Sequence, residues 1–425
     1  MEGHSGVMIM PLPVYAAGTF NLIGKIIDGK RGSEVMNQKG AFYTGEYRNV
    51  FAEYGYDPAE IDRRVEATYE EMFHGPADRV LFHPDWPDKA SFEDTGNVDA
   101  RTEGMSYSMM MAVQMDRQDD FDKLWNFCRT FMYHKEGQYR GYFAWTTALD
   151  GTRNADGPAP DGEEYYAMAL FFASHRWGDR EAPYNYSEQA RAILHECVHK
   201  GENGEEGRAM WDPENHLIRF VPEADSTDAS YHLPHFYELF ALWANEEDHD
   251  FWKQAAAASR EYLHKACHPI TGLAPEFGEY DGSPRNFMGR GVSRYYSDAY
   301  RVPANIAMDC LWFNVDPWQY ENNGKLQKFF CETEPEHDYR VYMIDGTVVD
   351  EPALHPVAII ATNAEASIAS SLAPEYAEYA RKCVELFWNT PLRTGIRRYY
   401  DNCLYMFAML ALSGRYRIWW PKERA

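Results

Sequence analysis

The sequence predicts an all-α protein, an (α/α)6 barrel of six inner and six outer helices. Three observations carry this prediction. Helical periodicity recurs from about Ala41 onward, and long strand-like alternation is scarce. The helical segments alternate between two characters, one set apolar nearly all round and the other charged along one side. The joining segments are uneven as well: five of those that lead into apolar helices are long, and those that leave apolar helices are only a few residues. A helix that is apolar on every face must be buried, whereas an amphipathic one borders water. Six of each in alternation describes two concentric rings built from helical hairpins. No strict internal repeat accompanies the pattern.

The helices are expected in this order. An outer helix over 44–74 is followed by an inner one over 103–116, MSYSMMMAVQM. Outer 119–134, DDFDKLWNFCRTFMYH, leads to inner 162–176, YYAMALFFASHRW. Outer 186–200, SEQARAILHECVHK, leads to inner 231–246, FYELFALWAN. Outer 248–266, FWKQAAAASREYLHKA, leads to inner 297–314, ANIAMDCLWF. Outer 317–332 leads to inner 359–372 within PVAIIATNAEASIASSL, and outer 374–388 to inner 399–412, YMFAMLALSG. The long links 75–102, 135–161, 201–230, 267–296 and 333–358 all enter inner helices. They gather over the N-termini of those helices, so the cleft is expected there.

Composition narrows the function. The chain has 425 residues, 45% hydrophobic, enough for one large core. Residues 1–38 read as an N-terminal extension and 39–425 as the barrel domain. A net charge of −25 argues against a nucleic-acid or anionic-membrane partner. Twelve Trp and thirty Tyr offer flat faces that suit neutral polar ligands such as sugars, beside their structural use. Seven widely spaced cysteines with no CxxC pair read as reduced intracellular thiols. No apolar run reaches membrane-spanning length. GVMIMPLPVYAAG near the N-terminus loosely matches a signal-peptide core, but no Lys or Arg precedes it and two prolines interrupt it. A cytoplasmic protein is expected, with its oligomeric state left open.

The barrel topology makes a demand: catalytic groups should fall at the starts of inner helices. Glu103 opens one. Asp161 in PAPDGEEYY precedes the next, and Asp298 in YYSDAYRVPANI opens another with Arg301 three residues on. Tyr231, Tyr399 and Tyr400 occupy equivalent places. For any one acid, helix capping is the simpler explanation. Repetition around one end of a barrel points instead to a shared site. Paired carboxylates suit glycoside hydrolysis, in which one group donates a proton and the other activates water or attacks carbon. Glu103 presents a conflict, because a helix N-terminus favours its charged form. Apolar neighbours, such as the Met-rich helix, or nearby charges, such as Asp99 and Asp161, would have to raise its pKa.

Six stretches together resemble glycoside hydrolase family eight over about residues 40–420. They are DTGNVDARTEGMSYSMMMAVQMD, GYFAWTTALDGTRNADGPAPDGEEYYAMALFFASHRWGD, SYHLPHFYELFALWANEED, YYSDAYRVPANI, LHPVAIIATNA and FWNTPLRTGIRRYYDNCLYMFAMLALSG. Within the family the resemblance is closest to the reducing-end xylose-releasing exo-oligoxylanases. It implies an (α/α)6 barrel, an inverting mechanism, no metal or other cofactor, and a xylooligosaccharide substrate. By resemblance Glu103 is the general acid, Asp298 the general base, and Arg301 the residue that orients that base. Asp161 lies under the distorted sugar, Tyr231 helps hold the water, and Trp145 is an aromatic platform. Inversion implies carboxyl groups roughly 6.5–9.5 Å apart. The resemblance also makes Leu354, His355 and Pro356 a wall that closes the cleft after one sugar. Read from residues alone, that turn is an ordinary loop–helix junction with His355 exposed. An endo-acting family member that cuts xylan, β-glucan or chitosan is the alternative. A non-catalytic sugar-binding protein or an epimerase on the same barrel is disfavoured by the acid pair.

Other motifs compete. His195-Glu196-Cys197-Val198-His199 fits the H-E-x-x-H pattern of zinc peptidases. Its histidines flank the apolar face of their helix, which stops at Gly201, so a peptidase is only a remote alternative. His232 and His235 are expected to be ordinary hydrogen-bonded histidines. DGTRNADG, residues 150–157, lacks the calcium-loop ligand pattern and is expected to be a structural turn.

Overall fold

The computed structural model describes residues 39–422 apart from 77–78, 83–85, 287–288 and 290. The expected extension 1–38 lies outside the described residues. Among the described residues twelve long helices follow one another: α1 (Pro58–His74), α2 (Thr102–Gln114), α3 (Gln118–Phe127), α4 (Pro160–Trp177), α5 (Tyr186–His199), α6 (Pro234–Trp243), α7 (His249–Ala266), α8 (Val302–Trp312), α9 (Trp318–Thr333), α10 (Pro356–Glu365), α11 (Ala377–Asn389) and α12 (Arg398–Leu412).

Burial separates them into the two expected rings. α2 is buried without interruption from Gly104 to Gln114, and α12 from Tyr399 to Leu412. By contrast α11 buries only Ala380, Cys383, Val384 and Phe387, a single stripe at helical spacing. The even-numbered helices pack in sequence, α2 on α4, α4 on α6, α6 on α8, α8 on α10 and α10 on α12. α12 then returns to α2 and closes the inner ring. The odd-numbered helices pack outside. The core is rich in aromatic rings, including the fully buried Trp125, Trp211, Trp252 and Trp312.

The structure corrects several boundaries. The helix expected over 44–74 is three pieces, Ala41–Thr44, Val50–Glu53 and α1. Gly45 and Gly55 break it with φ of 72° and 92°. α1 restarts where the Asp57 carboxylate accepts from Glu60 N and Pro58 takes the first turn. α3 stops at Phe127 and passes into a π-helical turn, Cys128–Met132. α8 is preceded by a 3-10 turn, Ser297–Arg301, and α10 begins at Pro356 rather than 359.

The long links are not bare loops. They carry two small antiparallel sheets. One has the order β1 (Leu81–Phe82), β2 (Ser91–Asp94), β3 (Asp99–Arg101), β4 (Thr146–Ala148), β5 (Arg153–Ala155). The other joins β6 (Arg294–Tyr295), β7 (Arg340–Met343) and β8 (Val348–Pro352). β3 runs directly into α2, β6 into the turn before α8, and β8 toward α10. Each strand therefore aims the first residues of an inner helix. Residues 150–157 lie around the β4–β5 hairpin, where Asp150 accepts from Thr152 N at 2.9 Å and Gly151 has a φ of 85°. That stretch is the structural turn expected.

Candidate active site

β3 delivers Glu103 to the first turn of α2. Pro160 starts α4 and sets Asp161 in its first turn. The 3-10 turn before α8 carries Asp298 and Arg301, and α12 opens with Tyr399 and Tyr400. These side chains meet around one guanidinium. Arg301 Nη1 lies 3.2 Å from Glu103 Oε2, 2.9 Å from Asp161 Oδ2 and 2.7 Å from the Tyr107 hydroxyl oxygen. Arg301 Nη2 lies 3.5 Å from Asp298 Oδ1. The guanidinium is only 4% exposed, so its attraction for these carboxylates is weakly screened. The Tyr399 hydroxyl donates to Glu103 Oε1 at 2.8 Å.

Two glycines make this closeness possible. A Cβ on Gly104 would lie 2.5 Å from the Tyr399 hydroxyl oxygen, and one on Gly162 would lie 2.5 Å from Thr102 Cβ. Neither site has room for a side chain.

The conflict at Glu103 is decided by burial. Its side chain is only 17% exposed. Loss of water is the largest influence and raises its proton affinity. Arg301 opposes this, the charges of Asp161 and Asp298 reinforce it, and the Tyr399 hydrogen bond opposes it weakly. The outcome is a carboxyl pushed up to about 7 despite the helix N-terminus. Asp99 is not among the causes. It pairs instead with Arg101 at 3.0 Å and accepts from Thr146 at 3.1 Å. Burial also raises Asp161, with Arg301 opposing.

Glu103 and Asp298 share a cavity of about 300 Å³ with Asp94, Asn97, Arg101, Tyr296, Ser297, Leu354, His355, Arg397, Tyr399 and Tyr400. Ser297 has a φ of 39°, a strained value for a non-glycine residue, and its carbonyl accepts from the Tyr400 hydroxyl at 3.0 Å. Tyr231 stands behind the cavity wall with its ring 5.5 Å from the Arg301 guanidinium. Trp145 lies to one side, half-buried, with its ring 5.2 Å from the Arg101 guanidinium. It does not line this cavity.

His355 is not the exposed junction residue of the residue-only reading. It is buried, its Nδ1 lies 2.7 Å from Asp401 Oδ2, and its ring centroid lies 4.8 Å from that of Tyr400. Asp401 also accepts from Ala358 N at 3.0 Å and from Arg393 at 2.6 Å. Arg393 donates to the Leu354 carbonyl at 2.7 Å as well. The Leu354-His355 turn is thus held from behind.

Sequence reasoning missed Tyr107, Gly104, Asp401, Arg393 and Asp228. Tyr107 sits one helical turn after Glu103, a spacing that could have revealed it. Asp401 follows Tyr400 directly. Asp228 opens the 3-10 turn before α6 through Ser230 N at 2.7 Å. Its Oδ2 is buried without a hydrogen-bond partner among the described residues. Burial, then the charge of Asp298, raises its carboxyl well above the usual range. No such signal exists in the sequence for Arg393. His232 is hydrogen-bonded as expected, to Thr227 and Ser259 at 2.9 Å each. His235 departs from expectation. Its Nδ1 has no partner among the described residues, and its ring packs edge-on against Trp312.

A barrel whose inner helices bring one proton-holding carboxyl and a second carboxylate into a tyrosine-lined cavity is equipped for acid–base hydrolysis of a neutral polar substrate. The family model of the glycosyl hydrolases family 8 matches residues 91–414, and the chain belongs to that family. It is 59% identical over 385 residues to the reducing end xylose-releasing exo-oligoxylanase of Halalkalibacterium halodurans, covering 90% of this chain and 97% of that protein. It is 56% identical over 382 residues to the reducing-end xylose-releasing exo-oligoxylanase Rex8A of Paenibacillus barcinonensis, covering 90% and 99%. The structure of Rex8A complexed with xylose matches with a TM-score of 0.86, over 90% of this chain and 100% of that one.

Proposed function

We propose that this chain is an inverting glycosidase that releases xylose from the reducing end of short β-1,4-xylooligosaccharides. The observation that carries the chemistry is the Arg301 cluster, in which Glu103 is pushed up to about 7 beside Asp298. Glu103 donates its proton to the departing glycosidic oxygen. Asp298 takes a proton from the water that attacks the anomeric carbon from the opposite face. Arg301, through Nη2, orients Asp298, and Tyr231 helps hold the water. Asp161 lies under the central sugar and Trp145 serves as a platform at the edge. The two carboxylates sit on different nitrogens of one guanidinium.

The direction of cutting rests on the Leu354-His355 turn. Both residues line the cavity that holds Glu103 and Asp298, and Asp401 and Arg393 brace them. A braced wall leaves space for one sugar beyond the cut, and His355 recognises its anomeric hydroxyl. The relatives named above support this choice of substrate and direction. A cytoplasmic place, where oligomers cut elsewhere are finished, fits seven cysteines that all stand as free thiols. None of the helices among the described residues is long and apolar enough to cross a membrane.

The test is hydrolysis of xylotriose labelled at its reducing end, with the released anomer followed by NMR. The expected products are labelled xylose and unlabelled xylobiose, the new reducing end of the xylobiose appearing first as the inverted α anomer. Labelled xylobiose overturns the direction. Retention of configuration overturns the mechanism.

A further inference from the structure

The H-E-x-x-H stretch on α5 has no part in the sugar cleft, yet the fold brings it a third ligand. His195 and His199 lie one turn apart with ring centroids 4.6 Å from each other. Asp248, at the start of α7, reaches His199 Nε2 with Oδ1 at 2.6 Å. One ligand-type atom from each of the three residues lies within 4.8 Å of the other two. Asp248 is 2% exposed, and its Oδ2 is buried with no hydrogen-bond partner among the described residues. An unsatisfied buried carboxylate oxygen is costly, and a bound cation removes that cost.

We propose that His195, His199 and Asp248 form a site for a divalent transition cation that favours imidazole nitrogen, with zinc the first candidate. Two histidines and one carboxylate with a water in the fourth position is a coordination set zinc accepts. The surroundings fit as well. His199 Nδ1 lies 2.9 Å from Glu202 Oε1, so a carboxylate stands behind the ring and orients Nε2 toward Asp248. His195 is exposed. The site does not make a peptidase. Glu196, which would be the general base of that pattern, is held by Arg140 and Lys200 at 2.9 Å each. The three residues share none with the sugar cavity. The cation would tie α5 to the head of α7 and stabilise the folded barrel, because it binds the assembled site and not the unfolded chain.

Titration calorimetry of the chelator-stripped full chain with zinc chloride tests this. The expected result is one zinc per chain and a rise in Tm on addition. His195→Ala, an exposed position, should weaken binding more than about tenfold and abolish the Tm rise, while its zinc-free Tm stays at the parent value. Glu103→Gln should bind zinc as the parent does. Cobalt in place of zinc should give visible absorption bands in the parent that are absent from His195→Ala. Absence of zinc binding overturns the site. Binding that survives His195→Ala places the cation elsewhere and overturns it equally. Loss of binding in Glu103→Gln assigns the cation to the sugar cleft and does the same.

Discussion

At the scale of single residues, Glu103 carries the clearest expectations. Its carboxyl must hold a proton to act as the acid, and it is pushed up to about 7. kcat/KM is therefore expected to fall as pH rises through about 7, read from initial rates on xylotriose across pH. Glu103→Gln should lower kcat by about 10²- to 10⁴-fold and leave the circular dichroism spectrum unchanged. The same pKa has a consequence for stability. A carboxyl raised above its unfolded value stabilises the fold below that value and loses the contribution as pH climbs through the folded one. Glu103→Gln should thus gain Tm relative to the parent above pH about 7 more than at acidic pH. Gly104→Ala tests the packing that positions the acid. Its Cβ would collide with Tyr399, so activity should drop sharply while Met105 and the residues after it stay buried. Glu103 itself was legible in the sequence as an acid at an inner-helix start. Its proton affinity was not, because Asp161, Asp298 and Arg301 lie far away along the chain.

At the scale of elements, the proposed wall draws on three segments. β8 brings the chain to Leu354, α10 begins just after His355, and α12 supplies Asp401 behind it. Replacing Leu354 and His355 together by Ala should open the end of the cavity. Product analysis with reducing-end-labelled xylotetraose should then show labelled xylobiose beside labelled xylose. Asp401→Asn keeps the shape but removes the charge facing His355 and Arg393. It should lower kcat/KM for reducing-end release through a looser His355, with the conservative Glu variant restoring part of it. Periodicity revealed the helices on both sides of this proposed wall. It did not reveal the two small sheets, whose strands are two to five residues long and lie in stretches without sustained alternation. Nor did it reveal Arg393, whose role depends on a loop folding back onto Leu354.

At the scale of the whole molecule, stability comes from closing the inner ring. α12 is the last helix and packs against α1, α2 and α10 at once. Leu410 on α12 is fully buried. Leu410→Ala should cost about 2–5 kcal/mol, measured by chemical denaturation. The ring also gathers the site. Residues at four inner-helix starts meet at one end of the barrel although Glu103 and Tyr399 are 296 positions apart.

The sequence by itself determined the two rings, the end of the barrel where function sits, and the residues that lead the inner helices. Those features follow from the spacing of apolar and charged side chains, which is a local property. Only the tertiary structure decided which of those residues touch, and that burial outweighs both Arg301 and the helix end at Glu103, so that it holds its proton near neutrality. It also decided that Asp248, not a residue of its own helix, completes the His195-His199 pair. The reason is the same in each case. Desolvation and charge–charge distance are set by neighbours across the fold, and no window of sequence contains them.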